Sequence, residues 1–262
     1  MPEGHTIHRL ARDHARAFQG AVVAVSTVDG RFPGATLLDG TVLRDTSAHG
    51  KHLFHHYDAG VVQIHLGLIG KFYRWKGEPP TPRPTVRMRL SDAERTFDLV
   101  GAIICRLITP DEAGEVMSGL GPDPLRADAD PMVAYAALQR RSVGIGRALL
   151  DQAVLAGVGN VFRCEVLFVH GIHPEVPAKQ ISVNEWLAIW ETLVDWLRIG
   201  VRMNRIVTVG PVEAGRPRSR ILRADATYVY KQDRCRRCNT EIRRWDLAGR
   251  WSYACETCQL RR

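Results

Sequence analysis

Six cysteines in the 262-residue chain fall into two groups. Cys235 and Cys238 form one Cys-x2-Cys pair, and Cys255 and Cys258 form a second one sixteen residues later. Thiolates at this spacing can close tetrahedrally on one zinc ion, and a site with four protein ligands is structural, since a catalytic zinc needs an open position. A finger of about thirty-five residues cannot bury enough core alone, so the metal would supply its folding energy. A redox pair or two disulfides are the competing readings, and a cytoplasmic chain disfavours them. Cys105 and Cys164 stand alone in apolar surroundings and read as small buried hydrophobes.

Chemistry of another kind is possible at the opposite end, Met1-Pro2-Glu3-Gly4. Removal of the initiator methionine would expose the secondary amine of Pro2. Such an amine titrates near pH 8 and is partly neutral in the cell. It can attack an aldehyde-like carbon, as catalytic lysines do, and Glu3 beside it can move protons. Pro is also simply a good first helical residue, so these residues alone do not decide the matter.

The elements that must position these groups change character along the chain. Glu3 to Phe18 reads as a helix, with Ile7, Leu10, Ala11, His14 and Phe18 on one face and Gly20 ending it. From Ala21 to about Thr109, short β-branched runs (21–28, 52–57, 61–66, 71–75, 86–90 and 96–100) alternate with Gly, Pro and Asp turns, which predicts an antiparallel sandwich or barrel. Gly121-Pro-Asp-Pro-Leu125 is a rigid break. Helices are expected at Pro131–Arg140, Gly146–Leu155, Asn160–His170 and about Val183–Gly200, followed by an irregular basic stretch. Ile242, Trp245, Trp251 and Tyr253 suit a hairpin within the finger.

Charge separates along the same line. Residues 1–197 hold 20 Lys and Arg against 22 Asp and Glu, whereas residues 198–262 hold 16 against 6. The net charge of +8 therefore comes from the last quarter, as for a surface that meets phosphodiester backbones. Of the 36 basic residues 31 are Arg, whose planar fork suits phosphate oxygens. A GC-rich genome would explain Arg over Lys, but not the clustering. No apolar run approaches membrane-helix length and no signal peptide is visible, so the expectation is a cytoplasmic protein.

Several motifs now combine: Pro2-Glu3-Gly4 opening a helix, His49-Gly50-Lys51 before a strand, His65-Leu-Gly-Leu-Ile-Gly70, Leu120-Gly-Pro-Asp-Pro-Leu125, Ala156-Gly-Val-Gly-Asn160-Val-Phe, Gly171-Ile-His-Pro174 and the C-terminal finger. In this order, across the whole chain, they closely resemble the Fpg/Nei family of DNA glycosylases, and most nearly its actinobacterial endonuclease VIII branch. The resemblance implies an α+β multidomain protein. Its parts would be an N-terminal β-sandwich with a leading helix (1–120), a linker (121–130), a helix–two-turn–helix domain (131–227) and a four-cysteine zinc finger (228–262). DNA would lie in the cleft of a two-domain clamp, with the damaged nucleotide flipped out.

By that resemblance Pro2 attacks the anomeric carbon and forms a Schiff base, and Glu3 protonates the sugar during ring opening. Lys51 contacts phosphate and assists β-elimination. Asn160 binds phosphate, and Arg250 holds phosphate and assists δ-elimination. The residues also make independent sense: Asn160 can cap the following helix, where an anion is favoured, and Gly157 and Gly159 permit close backbone approach. Plain alternatives are an N-cap for Asn160, a solvated loop charge for Lys51 and one more surface arginine for Arg250.

Two departures stand out. Thr6 occupies a position where many members have Glu, so that role is dispensable or falls to His5 or His8. The Arg–Phe wedge of the Fpg branch is missing from Asp98-Leu-Val-Gly-Ala-Ile103. Void filling then falls to Leu68, with Gly67 or Ile69 beside it, unless Leu68 is a core residue. The 206–227 stretch is short beside the Fpg loop that covers an oxidised purine, so the resemblance favours oxidised pyrimidines. His49, His52, His55 and His56 do not read as a second metal site, because residues 52–56 alternate across a strand and no carboxylate joins them. The expectation is a monomeric, nucleoid-associated bacterial DNA glycosylase and AP lyase with one structural Zn2+ and damaged DNA as its partner. The rivals are a non-catalytic damage- or structure-specific DNA-binding protein and a zinc-ribbon factor of transcription or translation.

Overall fold

In the computed structural model, which describes residues 2–261, the leading helix α1 spans Gly4–Phe18. Its apolar face, with Ile7, Ala11 and Phe18, is buried, and Gly20 turns the chain away at φ +77°. Burial of one such large side chain contributes about 1.5–3 kcal/mol. The expected removal of Met1 concerns a residue outside the described range.

The chain divides into two units between Gly119 and Leu120. In the first, β1 (Val22–Ser26), the short helix α2 (Ala35–Leu38), β2 (Thr41–Val42), β3 (Asp45–His49), β4 (His52–Tyr57), β5 (Gly60–His65), β6 (Lys71–Lys76), β7 (Val86–Ser91), β8 (Arg95–Val100) and β9 (Ile104–Ile108) follow in sequence. They form two antiparallel sheets, ordered β2-β1-β7-β8-β6 and β3-β4-β5-β9. The architecture is thus the sandwich rather than the barrel. Val23, Val25, Leu53, Ile64, Met88, Leu90, Phe97 and Leu99 meet in one core, which α1 joins through Ile7 and Phe18. In β4 the alternation puts His52, Phe54 and His56 on one face and Leu53, His55 and Tyr57 on the other. Helix α3 (Pro110–Ser118) opens on a Thr109/Glu112 capping box and covers Phe54, Val61 and Ile108 on the outer face.

The second unit contains α4 (Pro131–Gln139), α5 (Ile145–Ala148), α6 (Asn160–Val169), α7 (Val183–Met203) and α8 (Pro211–Ala214). Its hairpin pairs β10 (Arg243–Asp246) with β11 (Trp251–Ala254). Two helical expectations change. The 146–155 helix stops at Ala148. There the side chain of Asp151 accepts from Ala153 N, and that of Gln152 bridges Leu150 O, Val158 O and Gly157 N, taking the place of the helical ladder. α7 runs past Gly200 to Met203 and ends at Asn204, whose φ of 54° supplies the left-handed cap. Trp186, Ile189, Leu193 and Leu197 of α7 pack on Phe162 and Val166 of α6. Among the described residues no helix is long and apolar enough to cross a membrane.

Candidate active site and nucleic-acid interface

Glu3 is fully buried in extended backbone just ahead of α1, where its carbonyl accepts from Thr6 N at 2.9 Å; Pro2 is half-buried. A carboxyl shielded from water can both give and take a proton without competition from solvent. Thr6 spends its hydroxyl on His5 Nε2 at 3.2 Å. Burial pushes His5 down to about 4, so its ring is neutral near pH 7.

α1 is anchored to the sheet that carries Lys51. Thr46 of β3 donates to Ala11 O at 2.5 Å, and His14 Nδ1 lies 2.9 Å from His55 Nε2 of β4. The β3–β4 turn holds Gly50, at φ +59°, and half-buried Lys51. His49 and His52 flank that turn as register partners, and His65 pairs with His52 from β5. Gln63 ties the group together: it meets His52 Nδ1 at 3.0 Å and accepts from Arg106 Nε at 2.8 Å. Burial, then His65, His49, Arg106 and Lys51, push His52 down to about 4. Of these neighbours Arg106 and Lys51 are cations, and together they give the turn a positive potential suited to an anion. Leu68 is not a core residue: it sits in the turn after β5 and is 51% exposed.

In the second unit Asn160 is the first residue of α6, while Gly159 occupies the cap position with no side-chain cap, so the capping role expected of Asn160 is not what the structure shows. The carboxamide is held instead by two partners: Nδ2 donates to Trp251 O at 2.8 Å and Oδ1 accepts from Arg163 at 2.5 Å. Arg163 is wholly buried and also donates to Trp251 O and Gly146 O. This joins α6 to the strand that follows Arg250. Arg250 itself is exposed in the β10–β11 turn, closed by Leu247 N to Arg250 O at 2.8 Å and by Gly249 at φ +74°.

Three positioning residues escaped the sequence reading. Besides Arg163, buried Glu165 accepts from Thr208 Oγ1 and from the backbone N–H groups of Tyr228, Val229 and Tyr230, at 2.5–2.9 Å. Burial dominates and holds its carboxyl above the usual carboxylate range, and these four donors offset only part of that rise. Gln259 is buried, donates to Ile172 O and accepts from Cys255 N. The signal available for the first two was two charges inside the apolar run of α6, a pattern that demands partners.

The four finger sulfurs lie within 4.8 Å of one another, with Cys235–Cys258 at 3.8 Å and Cys238–Cys255 at 3.4 Å. Zn–S bonds of about 2.3 Å in a tetrahedron require sulfurs roughly 3.8 Å apart, whereas a disulfide needs about 2.05 Å. All four cysteines are free of disulfides, so the donor set fits a metal ion. Cys105 and Cys164 are buried as expected.

Comparison with known proteins agrees with this geometry. Residues 1–100 match the formamidopyrimidine-DNA glycosylase N-terminal domain, and residues 120–210 match the formamidopyrimidine-DNA glycosylase H2TH domain. Endonuclease 8 1 of Mycobacterium tuberculosis is 46% identical over 267 residues, covering 99% of this chain and 100% of the relative. The probable endonuclease 8 2 of Streptomyces coelicolor is 32% identical, covering 99% and 94%. The fold matches that of Lactococcus lactis Fpg in complex with DNA containing N7-benzyl-Fapy-dG, at a TM-score of 0.81 and 21% identity, covering 99% of this chain and 100% of that one. The chain therefore belongs to the Fpg/Nei family of DNA glycosylases with AP lyase activity, as an endonuclease VIII homologue of base excision repair.

Proposed function

We propose that the protein removes oxidised pyrimidines from damaged DNA and cuts the strand by β,δ-elimination, as a cytoplasmic monomer with one structural Zn2+. The observation that carries this reading is the placement of fully buried Glu3 beside Pro2, just ahead of a helix anchored to the sheet that holds Lys51.

With Met1 removed, the Pro2 nitrogen attacks the anomeric carbon of the damaged nucleoside, the N-glycosidic bond breaks with its electron pair leaving with the base, and the proton of the Pro2 nitrogen passes to the Glu3 carboxylate. Glu3 gives its proton to the ring oxygen as the sugar opens, which leaves the carbon joined to Pro2 as an iminium. That electron sink acidifies the adjacent C2′ hydrogen. Its loss expels the 3′ phosphate, and a second elimination expels the 5′ phosphate. Lys51 neutralises phosphate and assists the first elimination. Asn160 binds phosphate in the second unit, and Arg250 holds phosphate for the second elimination. Leu68 fills the space left by the flipped nucleotide. Cys235, Cys238, Cys255 and Cys258 hold the zinc, which staples the turn that presents Arg250.

Borohydride reduces an iminium to a stable amine, so incubation with DNA bearing an abasic site should trap one chain per strand. Pro2→Gly should sharply reduce base release. Binding to an abasic analogue, with neither trapping nor cleavage of a true abasic site, would favour the non-catalytic DNA-binding alternative.

A further inference from the structure

Of the six tryptophans, Trp186, Trp190 and Trp196 are buried, Trp75 and Trp245 are half-buried, and Trp251 alone is exposed, at 56%. It directly follows Arg250 and opens β11. Its backbone is pinned, because Trp251 O accepts from Asn160 Nδ2 at 2.8 Å and from Arg163 at 3.1 Å. Beyond it the strand enters the core, with Ser252, Tyr253 and Ala254 all buried. Alternation puts Arg244, Asp246, Trp251 and Tyr253 on one face of the hairpin. On that face Tyr253 packs edge-on against Tyr230, whereas the indole of Trp251 stands in water. Arg244 places its guanidinium over the indole, with Cζ 5.7 Å from the ring centroid. Asp246, the register partner of Trp251, spends its carboxylate on Gly249 N at 3.2 Å, and Arg243 pairs with Glu256 at 2.7 Å. Arg244 and Arg250 therefore set the charge around the exposed ring. An indole left in water forgoes the stabilisation that burial would bring, so packing does not account for it.

We propose that Trp251 is a stacking site for one unpaired nucleobase of the DNA, next to the phosphate that Arg250 holds. This rests on the reading of the finger turn as a DNA contact. Every base has a flat face, and an indole stacks on it without regard to sequence. Arg244 over the ring adds a cation to one side of the indole and leaves the other side to the base. Arg250 then meets the backbone while its neighbour in the chain meets the base. In an intact duplex the bases cover one another and offer the indole no face, so the site engages only where pairing is lost. The two contacts differ physically: the arginine releases counterions from the phosphate and so depends on salt, and the stacked ring does not. In the sequence Trp251 reads only as a strand residue of the hairpin, and the fold alone places its side chain outside the core.

The test compares binding to a short single-stranded oligothymidylate with binding to an equally long strand of tetrahydrofuran abasic units, which keeps the phosphates and lacks the bases. Fluorescence anisotropy over a salt series gives both affinity and salt slope. Trp251→Ala should weaken oligothymidylate binding about 10-fold, leave the base-free strand unchanged, and leave the slope of log K against log salt unchanged. Trp251→Phe should restore most of the affinity, whereas Trp251→Leu, apolar but not flat, should not. An unchanged affinity for oligothymidylate in Trp251→Ala, an equal loss on both strands, or full rescue by leucine overturns the stacking site. Arg250→Ala tests the underlying reading separately and should lower the salt slope by about 0.7 on both strands. An unchanged slope there, with the base-dependent loss in Trp251→Ala intact, sinks the phosphate role of Arg250 and leaves the base site standing. A lowered slope with no effect of Trp251→Ala sinks the base site alone.

Discussion

Acidification below pH 6.5 should destabilise the first unit, and the His14–His55 pair supplies part of the loss. Both rings are fully buried and share one 2.9 Å hydrogen bond, while His14 Nε2 and His55 Nδ1 have no hydrogen-bond partner. Phe72 and Phe97 meet His14 edge-on. The charged or titratable groups facing the pair are Arg74 and His56, neither of which can stabilise a new cation. Burial and then Arg74 push His14 down to about 3; burial, His14 and His56 hold His55 well below the usual range. The unfolded rings titrate near 6.5, so between about pH 6.5 and 3 the unfolded chain binds protons that the native pair refuses, and stability falls as pH falls. At pH 5 relative to pH 7 the His14 ring costs about 2 kcal/mol, and His55 adds to the loss in the same direction. Set against a typical domain stability of about 5–15 kcal/mol, that is a large fraction. Hydrogen exchange of segments 4–18 and 45–57, with urea titrations at pH 7 and pH 5, would measure it. Replacing the pair by His14→Phe with His55→Leu should remove at least about 2 kcal/mol of the pH dependence, leaving that of the remaining buried histidines. A wild-type loss under about 1 kcal/mol, or an equal loss in the double variant, would refute the reasoning.

Other outcomes can be checked separately. Lys51→Ala should weaken DNA binding and reduce the slope of log K against log salt by about one unit, as expected for one lost phosphate contact; an unchanged slope argues that Lys51 touches no phosphate. Elemental analysis should find one zinc per chain, and chelation should raise hydrogen exchange across Arg243–Ala254. A hairpin indifferent to chelation would show that packing, not metal, holds it. Glu165→Gln exchanges an acceptor for a donor facing the N–H groups of segment 228–230 and should cost about 3 kcal/mol in the second unit, read by urea denaturation.

The sequence by itself determined what depends on local pattern. Alternation and turn residues produced the strands, a 3.6-residue stripe produced α1 and α7, and Cys-x2-Cys spacing produced the four-cysteine cluster, because each is set by neighbours within a few residues or by covalent spacing. The same locality explains the failure at 146–155. Apolar periodicity continued there, but the side chains of Asp151 and Gln152 captured the backbone, and hydrophobic pattern does not register that competition. Only the tertiary structure decided the long-range polar contacts. Asn160 and Arg163 meet Trp251 about ninety residues away, Glu165 meets Tyr228–Tyr230, His14 meets His55, and Ile103 lies over Gly67. A buried charge or amide announces in the sequence that it needs a partner, but which partner it finds is fixed by the packing of sheets and helices around it.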